Sequence, residues 1–440
     1  MRRYFNKSFA FALLGLTVCF SASGSTIFGR SYYSLIKGCS VIVVVRVERI
    51  DSSEKEKKAI AYVERRLKGV VSQDSLRIPM SENAGIISEQ VSFQAGRQYL
   101  ILFEQVGNAQ IYSEYTTATH RVVQYMGRGH VEIKDLNDPI VLETVKFIRI
   151  ASELSEDAAL DSLVGLAAST NRTERLDAIE SLGDLRNQRA TPILVRVLRT
   201  DPDSIIRCYA AQGLASCRAD TVPAVLMQSL EGEKSDMVSS TMILSLGVRA
   251  KPWIHQLLDG YLQERFNSRN VILFEASITR DSTVVPKVIS LFSADHDNQH
   301  RHMIAEFIAS MHTPEADQFS SKLLDTTDRF SLKSAVLDSW ARSGYTKGFD
   351  QVARMTTGLC DSSIHRSKRW GEVQDLTITL INAVAKLGTP AQVAVAFRSL
   401  TCFSDPFIRR EVVRALQTLL SRGVDDELRS TITSEIELFE

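Results

Sequence analysis

The chain has 440 residues, 44% hydrophobic and 24% charged, an ordinary globular composition long enough for two or three domains or one domain plus an array. Its 52 lysines and arginines balance 52 aspartates and glutamates, so the formal net charge is zero and the strongly basic footprint of a nucleic-acid or anionic-lipid binder is absent. Arg2, Arg3 and Lys7 fall in a segment expected to be removed, which would leave the remainder slightly acidic.

The N-terminal "MRRYFNKSFAFALLGLTVCFSASGS" has a basic start, an apolar run from Phe9 to about Ala22, and then small residues. That order is the order of a secretory signal peptide. Residues 1–23 are read as the signal, and the protein as extracytoplasmic, periplasmic or secreted. The apolar run is shorter than the roughly 20 residues a spanning helix needs, so no membrane span is expected once the signal is gone. Of six cysteines, Cys19 leaves with the signal, and Cys39, Cys208, Cys217, Cys360 and Cys402 are too few and odd in number for a disulfide framework. They read first as small buried apolar residues; if one pair forms, it is Cys360 with Cys402.

Residues 30–136 carry strand patterns. "SVIVVVRVERI" is β-branched and alternates from Val45, "AIAYVERRLKGVV" and "QYLILFEQV" repeat the theme, and Gly69 and Gly96 stand beside the turns. The order "CSVIVVVRVERI … AYVERRLKGVV … FQAGRQYLILFE", with Leu67, Lys68 and Gly69 ending one strand and Gly96, Tyr99 and Leu100 opening another, resembles the netrin-like (tissue-inhibitor-of-metalloproteinase-like) family. The resemblance implies a small OB-type β-barrel. It also implies a protease-inhibiting mode in which an N-terminal cysteine chelates zinc through its amine and carbonyl, and Cys39 lies well inside the expected mature end.

From residue 137 the period changes from 2 to 3.6, and residues 137–173 read as a helical connector and N-terminal cap. Over residues 174–436 a unit recurs: Leu182, Leu214, Leu246 and Ile278 fall 32 residues apart, with Pro192, Pro223, Pro252 and Pro286 shortly after each. Proline in the first turn of a helix loses no hydrogen bond, so each proline marks the start of a second helix. A helical pair cannot bury its apolar face alone, so copies must stack. About eight pairs are expected, with an insertion at residues 358–372. Asp201, Pro202, Arg207, Ala210, Ala211 and Leu214, echoed by Asp405, Pro406, Arg409, Val413 and Leu416, resemble HEAT repeats. The fold class expected is therefore α+β multidomain, a β-barrel followed by an all-α solenoid.

Candidate chemistry is sparse. His296 and His300 in "HDNQHRH" would share a face on a helix and are weak metal candidates, although structural sites usually need four converging ligands. Gly-x-Ser-x-Gly, P-loop and His-Glu-x-x-His motifs are absent, so no catalytic residue or cofactor is assigned. The insertion concentrates His365, Arg366, Lys368, Arg369 and Trp370, residue types suited to a binding loop on a rigid scaffold. A second candidate row is Arg196, Met227, Gln256 and Ser290, equivalent positions of the second helices. Trp253, Phe274, Phe292 and Trp340 read as core. The expected function is a non-enzymatic scaffold binding a protein partner, with a secreted protease regulator or a metal-dependent enzyme as alternatives.

Overall fold

The computed structural model describes residues 31–52, 57–71, 74–80, 92–105, 116–117, 120–122, 130–217, 219–266, 268–359, 370–403, 405–421 and 424–439. The segment read as a signal, residues 1–23, therefore lies outside the described residues. Two compact units divide at Ser245 and Leu246.

The first described element of the first unit is a helix that the strand-like sequence around it did not announce. α1 (Tyr32–Gly38) starts at Ser31, whose side chain accepts from the Ser34 amide, and ends at Cys39. β1 (Val41–Asp51) follows and pairs antiparallel with both β2 (Lys58–Lys68) and β4 (Gln98–Gln105). β3 (Ser75–Pro79) extends the sheet beyond β2, while β6 (His120–Val122), which pairs with β5 (Thr116–Thr117), and β7 (His130–Ile133) both pair with β4. The outer strands β3 and β5 approach one another, so the sheet curls. Val41, Val43, Val45 and Val47 point into a core with Ala59, Ala61, Ile78, Tyr99, Ile101 and Phe103. Ile42, Val44, Leu100 and Leu102 on the opposite face are equally buried. A strand covered on both faces reads as a continuous apolar run, which is why "VIVVV" alternates only where Arg46 and Glu48 reach solvent.

α2 (Pro139–Ser152) and α3 (Glu156–Leu166) begin the helical pairs. Asp138 caps α2 with proline next in line, and Ser155 caps α3, both favourable starts. Then come α4 (Arg172–Asp184), α5 (Thr191–Thr200), α6 (Ser204–Ser216), α7 (Val222–Leu230) and α8 (Asp236–Leu246). Pro192 and Pro223 stand in the first turns of α5 and α7, as the sequence predicts. α4 packs on α6 at a crossing where a Cβ on Gly183 would lie 2.6 Å from the Gly213 Cα.

The second unit runs through a 3-10 turn (Gly247–Trp253) into α9 (Ile254–Leu262), so Pro252 precedes its helix instead of opening it. α10 (Arg269–Thr279), α11 (Val285–Ala294), α12 (Asn298–Met311), α13 (Pro314–Thr326), α14 (Phe330–Ser343) and α15 (Phe349–Gly358) follow. The unit ends with α16 (Trp370–Leu387), α17 (Pro390–Arg398), α18 (Pro406–Leu420) and α19 (Asp426–Phe439). Counted from α4 to α19, the described helices make eight alternations of first and second helix. Arg280, His312 and Gly344 end α10, α12 and α14 in the left-handed region, each closing the turn inside its pair. Phe292 and Trp340 are buried, whereas Trp253 and Phe274 are only half-buried. Ile278 is 39% exposed, unlike buried Leu182, Leu214 and Leu246.

Cys39, Cys208 and Cys217 are buried thiols, as small apolar residues would be. Cys402 departs from that reading: it is exposed and disulfide-bonded, and its partner lies outside the described residues.

The α4–α6 crossing generates a test. Gly183→Ala forces a methyl against the Gly213 backbone and should destabilise the protein by about 1–3 kcal/mol, read by denaturant unfolding. Gly165→Ala, at an open helical position, should be neutral or stabilising by up to about 1 kcal/mol.

Candidate functional site

An arginine stands four residues after the cap of the first helix in four of the pairs, those that begin with α4, α6, α12 and α18. Asn171 caps α4 and Arg175 follows; Asp203 caps α6 and Arg207 follows. Arg207 donates from Nε (3.0 Å) and Nη2 (2.8 Å) to the two Glu233 oxygens beyond α7, and from Nη1 (2.8 Å) to the Asp201 carbonyl before α6. Arg175 likewise joins Asp201 (2.9 Å) to the Ser169 carbonyl (2.9 Å). Each guanidinium thus ties the turn before its own pair to the carboxylate after it. Burial alone would push the Glu233 carboxyl up. Hydrogen bonds from Arg207 and from the Ser235 and Lys234 amides, with the Arg207 charge, instead hold it below the usual carboxylate range.

In the second unit α12 and α18 keep the arginine while its acceptor changes. Arg301, four residues after Asp297, lies over the Phe292 ring at 4.3 Å. Arg409, four after Asp405, donates to the carbonyls of Phe439 (2.9 Å) and Leu438 (2.6 Å).

α10 breaks the pattern. Four residues after Ser268 stands Ile272, so no arginine comes from that position to Asp295, the carboxylate at the end of α11. Asp295 is instead held by the Tyr261 hydroxyl, by His300 Nδ1 at 3.1 Å and by the Asp297 amide at 2.7 Å, with Arg269 Nη1 at 4.0 Å. The Arg269 guanidinium lies over the Tyr261 ring at 5.3 Å. An ionised carboxylate only accepts, so Nδ1 of His300 carries the proton in this contact. Burial would raise the Asp295 carboxyl, but these bonds and the nearby His300 and Arg269 hold it low.

The same helix carries Glu275, 1% exposed, whose Oε2 has no hydrogen-bond partner. It follows Ser268 by seven residues. The corresponding places after Asn171, Asp203, Asp297, Arg329 and Asp405 hold Ala178, Ala210, Ile304, Val336 and Val412, all fully buried. Burial pushes the Glu275 carboxyl up to about 8. It is a protonated acid standing in an apolar row at neutral pH.

The structure separates the two histidines. His296 is exposed and precedes the α12 cap at Asp297, while His300 turns to Asp295. They do not share a helix face, because the helix starts between them. No group of three or more metal-ligating side chains is found among the described residues.

In the second-helix row, Arg196 and Ser290 are exposed and Gln256 is half-buried. Met227 is a correction: it is 2% exposed and belongs to the core. Aligning the prolines fixes where a second helix begins but not its rotation. α5 buries Leu194, Val197 and Leu198, whereas the stripe of α7 is Leu226, Met227 and Leu230, turned by one residue so that Met227 faces inward. In the insertion, His365, Arg366, Lys368 and Arg369 lie outside the described residues, and Trp370 is described only as the first residue of α16. Cys39 is buried behind docked α1, so a zinc-chelating mode through this residue would require loss of that helix.

A family model described as HEAT repeats matches residues 144–215 and 160–247. No curated protein matches the chain. Among solved structures, a chain of the complex of CpcE and CpcF of phycocyanin lyase from Nostoc is similar at 16% identity and a TM-score of 0.22, covering 65% of this chain and 90% of that one. A computationally designed self-assembling cyclic homooligomer is similar at 13% identity and a TM-score of 0.12, covering 64% of this chain and 88% of that one.

The buried acid yields a pH prediction. Glu275 ionises near 4.5 when unfolded and near 8 when folded, so the folded state keeps a proton that the unfolded state loses. Its contribution is present below pH 4.5 and is lost as pH rises to 8. Glu275→Leu should therefore stabilise the protein by about 3 kcal/mol more at pH 8 than at pH 5, measured by chemical denaturation. An equal effect at both pH values would contradict the assignment.

Proposed function

We propose that the protein is an exported, non-enzymatic scaffold that binds a protein partner through its helical pairs. The observation that supports this reading most strongly is the pair of consecutive arginine links made by Arg175 and Arg207. It commits the most regular polar interactions to holding repeats together and leaves surface side chains such as Arg196 for recognition. HEAT repeats over residues 144–247 fit a helical repeat scaffold, although folds of this type host unrelated roles. The signal-like N-terminus supports an extracytoplasmic location. Among the described residues no helix is long and apolar enough to cross a membrane. Closure of the curled sheet into an OB-type barrel, as in netrin-like proteins, belongs to the same proposal.

Binding is assigned to two separate candidates, the exposed second-helix position Arg196 in the first unit and, in the second, Gln256 with the segment from His365 to Trp370. The test is affinity capture from the extracytoplasmic extract with the chain from residue 24 onward, followed by purified-component titration. The reading predicts a partner with micromolar or better affinity that Arg369→Ala with Trp370→Ala, or Arg196→Glu, weakens at least tenfold. Absence of any such partner, together with steady turnover of a defined substrate, would overturn it.

A further inference from the structure

The sheet of the first unit turns one face inward and one outward. Val47, Ala59, Ala61 and Ile78 point into the core, so the side chains that alternate with them, Arg46, Ile60, Tyr62 and Arg77, point out. The ladders of β1, β2 and β3 align these into rows that cross three strands. Arg49, Ile60 and Arg77 form one row, because Arg49 pairs with Ile60 and Ile60 with Arg77. Arg46, Tyr62 and Ser75 form the next by the same pairings. Elsewhere on this outer face Ile42, Val44, Leu100 and Leu102 are fully buried, but these two rows are open. Arg46, Arg49 and Arg77 are exposed and Tyr62 is 50% exposed, whereas Ile60, between Arg49 and Arg77, is 8% exposed.

The cations here are only partly matched. Glu64 accepts from Arg46 Nε at 2.5 Å and also from Gln98, and Glu48 lies 3.8 Å from Arg49 Nη1. Asp51 and Lys58 stand opposite one another in the row beyond Ile60. Arg77, and Arg65 further along β2, are exposed and have no ion pair or hydrogen bond among the described residues.

We propose that this open outer face is a docking surface for an acidic, extended segment of a protein partner, recognised by Arg46, Arg49 and Arg77 around Tyr62. The surface lies on the strands and is independent of the helical binding proposed above.

Arginine sets the chemistry, since a guanidinium takes a carboxylate through two parallel hydrogen bonds. Tyr62 adds an apolar ring with a polar tip in the middle of the cations. The spacing sets the shape: alternate side chains of a strand repeat every 7 Å or so, roughly the repeat of alternate side chains in an extended peptide. An acidic residue at every second position therefore meets successive rows. The carboxylates set the class of partner. Glu48 and Glu64 beside the arginines oppose a continuous line of phosphates, and a chain of zero net charge has no general attraction for one. A protein segment with separate acidic residues meets the arginines and avoids both glutamates.

Fluorescence anisotropy of a labelled peptide that alternates glutamate with threonine, titrated with the full chain, reads this surface. Binding should be saturable and should fall as salt is raised. It should be about tenfold weaker for Arg49→Glu with Arg77→Glu, weaker for Tyr62→Ala, and unchanged for Arg410→Glu with Arg414→Glu, the same change of charge at exposed positions of α18. Arg49→Gln with Arg77→Gln serves where the reversed charges do not fold. No binding of the glutamate peptide, equal binding of its glutamine counterpart, or an equal loss in the α18 variant overturns the proposal. Tighter binding of single-stranded oligothymidylate, lost in the Arg49 and Arg77 variant, overturns it in favour of a nucleic-acid face.

Discussion

A guanidinium that holds the turn on one side and a carboxylate on the other is the interaction that joins the first HEAT-like pairs of this protein. A pair of short helices has too little apolar surface to fold alone, and stacking leaves open how far one pair slides on the next. Arg175 and Arg207 settle that: each takes a carbonyl from the turn before its pair and a carboxylate from the turn after it. Because Asp201 offers its side chain to Arg175 and its carbonyl to Arg207, consecutive links share a residue and run on from pair to pair. Within this frame the glycine contact between α4 and α6 can be tight, since the register that brings Gly183 onto Gly213 is already fixed.

The strand module is joined to this frame. α1 precedes β1 in sequence but rests on α2 and α4, and Lys68 of β2 bonds the end of α1. The sheet and the first helices therefore belong to one unit, which favours a scaffold with an integral β-module over a detachable inhibitor domain. In the second unit α10 has lost the arginine and gained a buried acid. Tyr261, Arg269 and His300 together restrain Asp295, a substitution that absorbs the histidine which in sequence looked like a metal ligand.

Much of the helical architecture was legible because it is periodic. Intervals of 32 residues and prolines in first turns placed α5, α7 and α11. The strands from Val41 and Gln98 were legible from β-branched runs. What the pattern could not supply was rotation and capping. Met227 aligned with Arg196 by counting from proline, yet faces inward because the apolar stripe of α7 is turned by one residue. α1 was missed because seven residues beside a strand run give no period to detect. The arginine position is not kept in α8, α10 or α16, where Ser239, Ile272 and Val373 stand. Counted from the helix cap, Arg301 and Arg409 keep the position, Arg301 lying over a ring and Arg409 donating to carbonyls in place of a carboxylate.

The arginine link is tested most directly by a double-mutant cycle on Arg207 and Glu233, with Arg207→Met, Glu233→Gln and the double variant compared by denaturant unfolding. The bidentate contact is largely buried, at 17% and 8% side-chain exposure, so the predicted coupling is about 2 kcal/mol, well above the 0–1 kcal/mol of an exposed ion pair. A coupling below about 0.5 kcal/mol would mean that apolar stacking alone sets the register and that the recurring guanidinium is incidental.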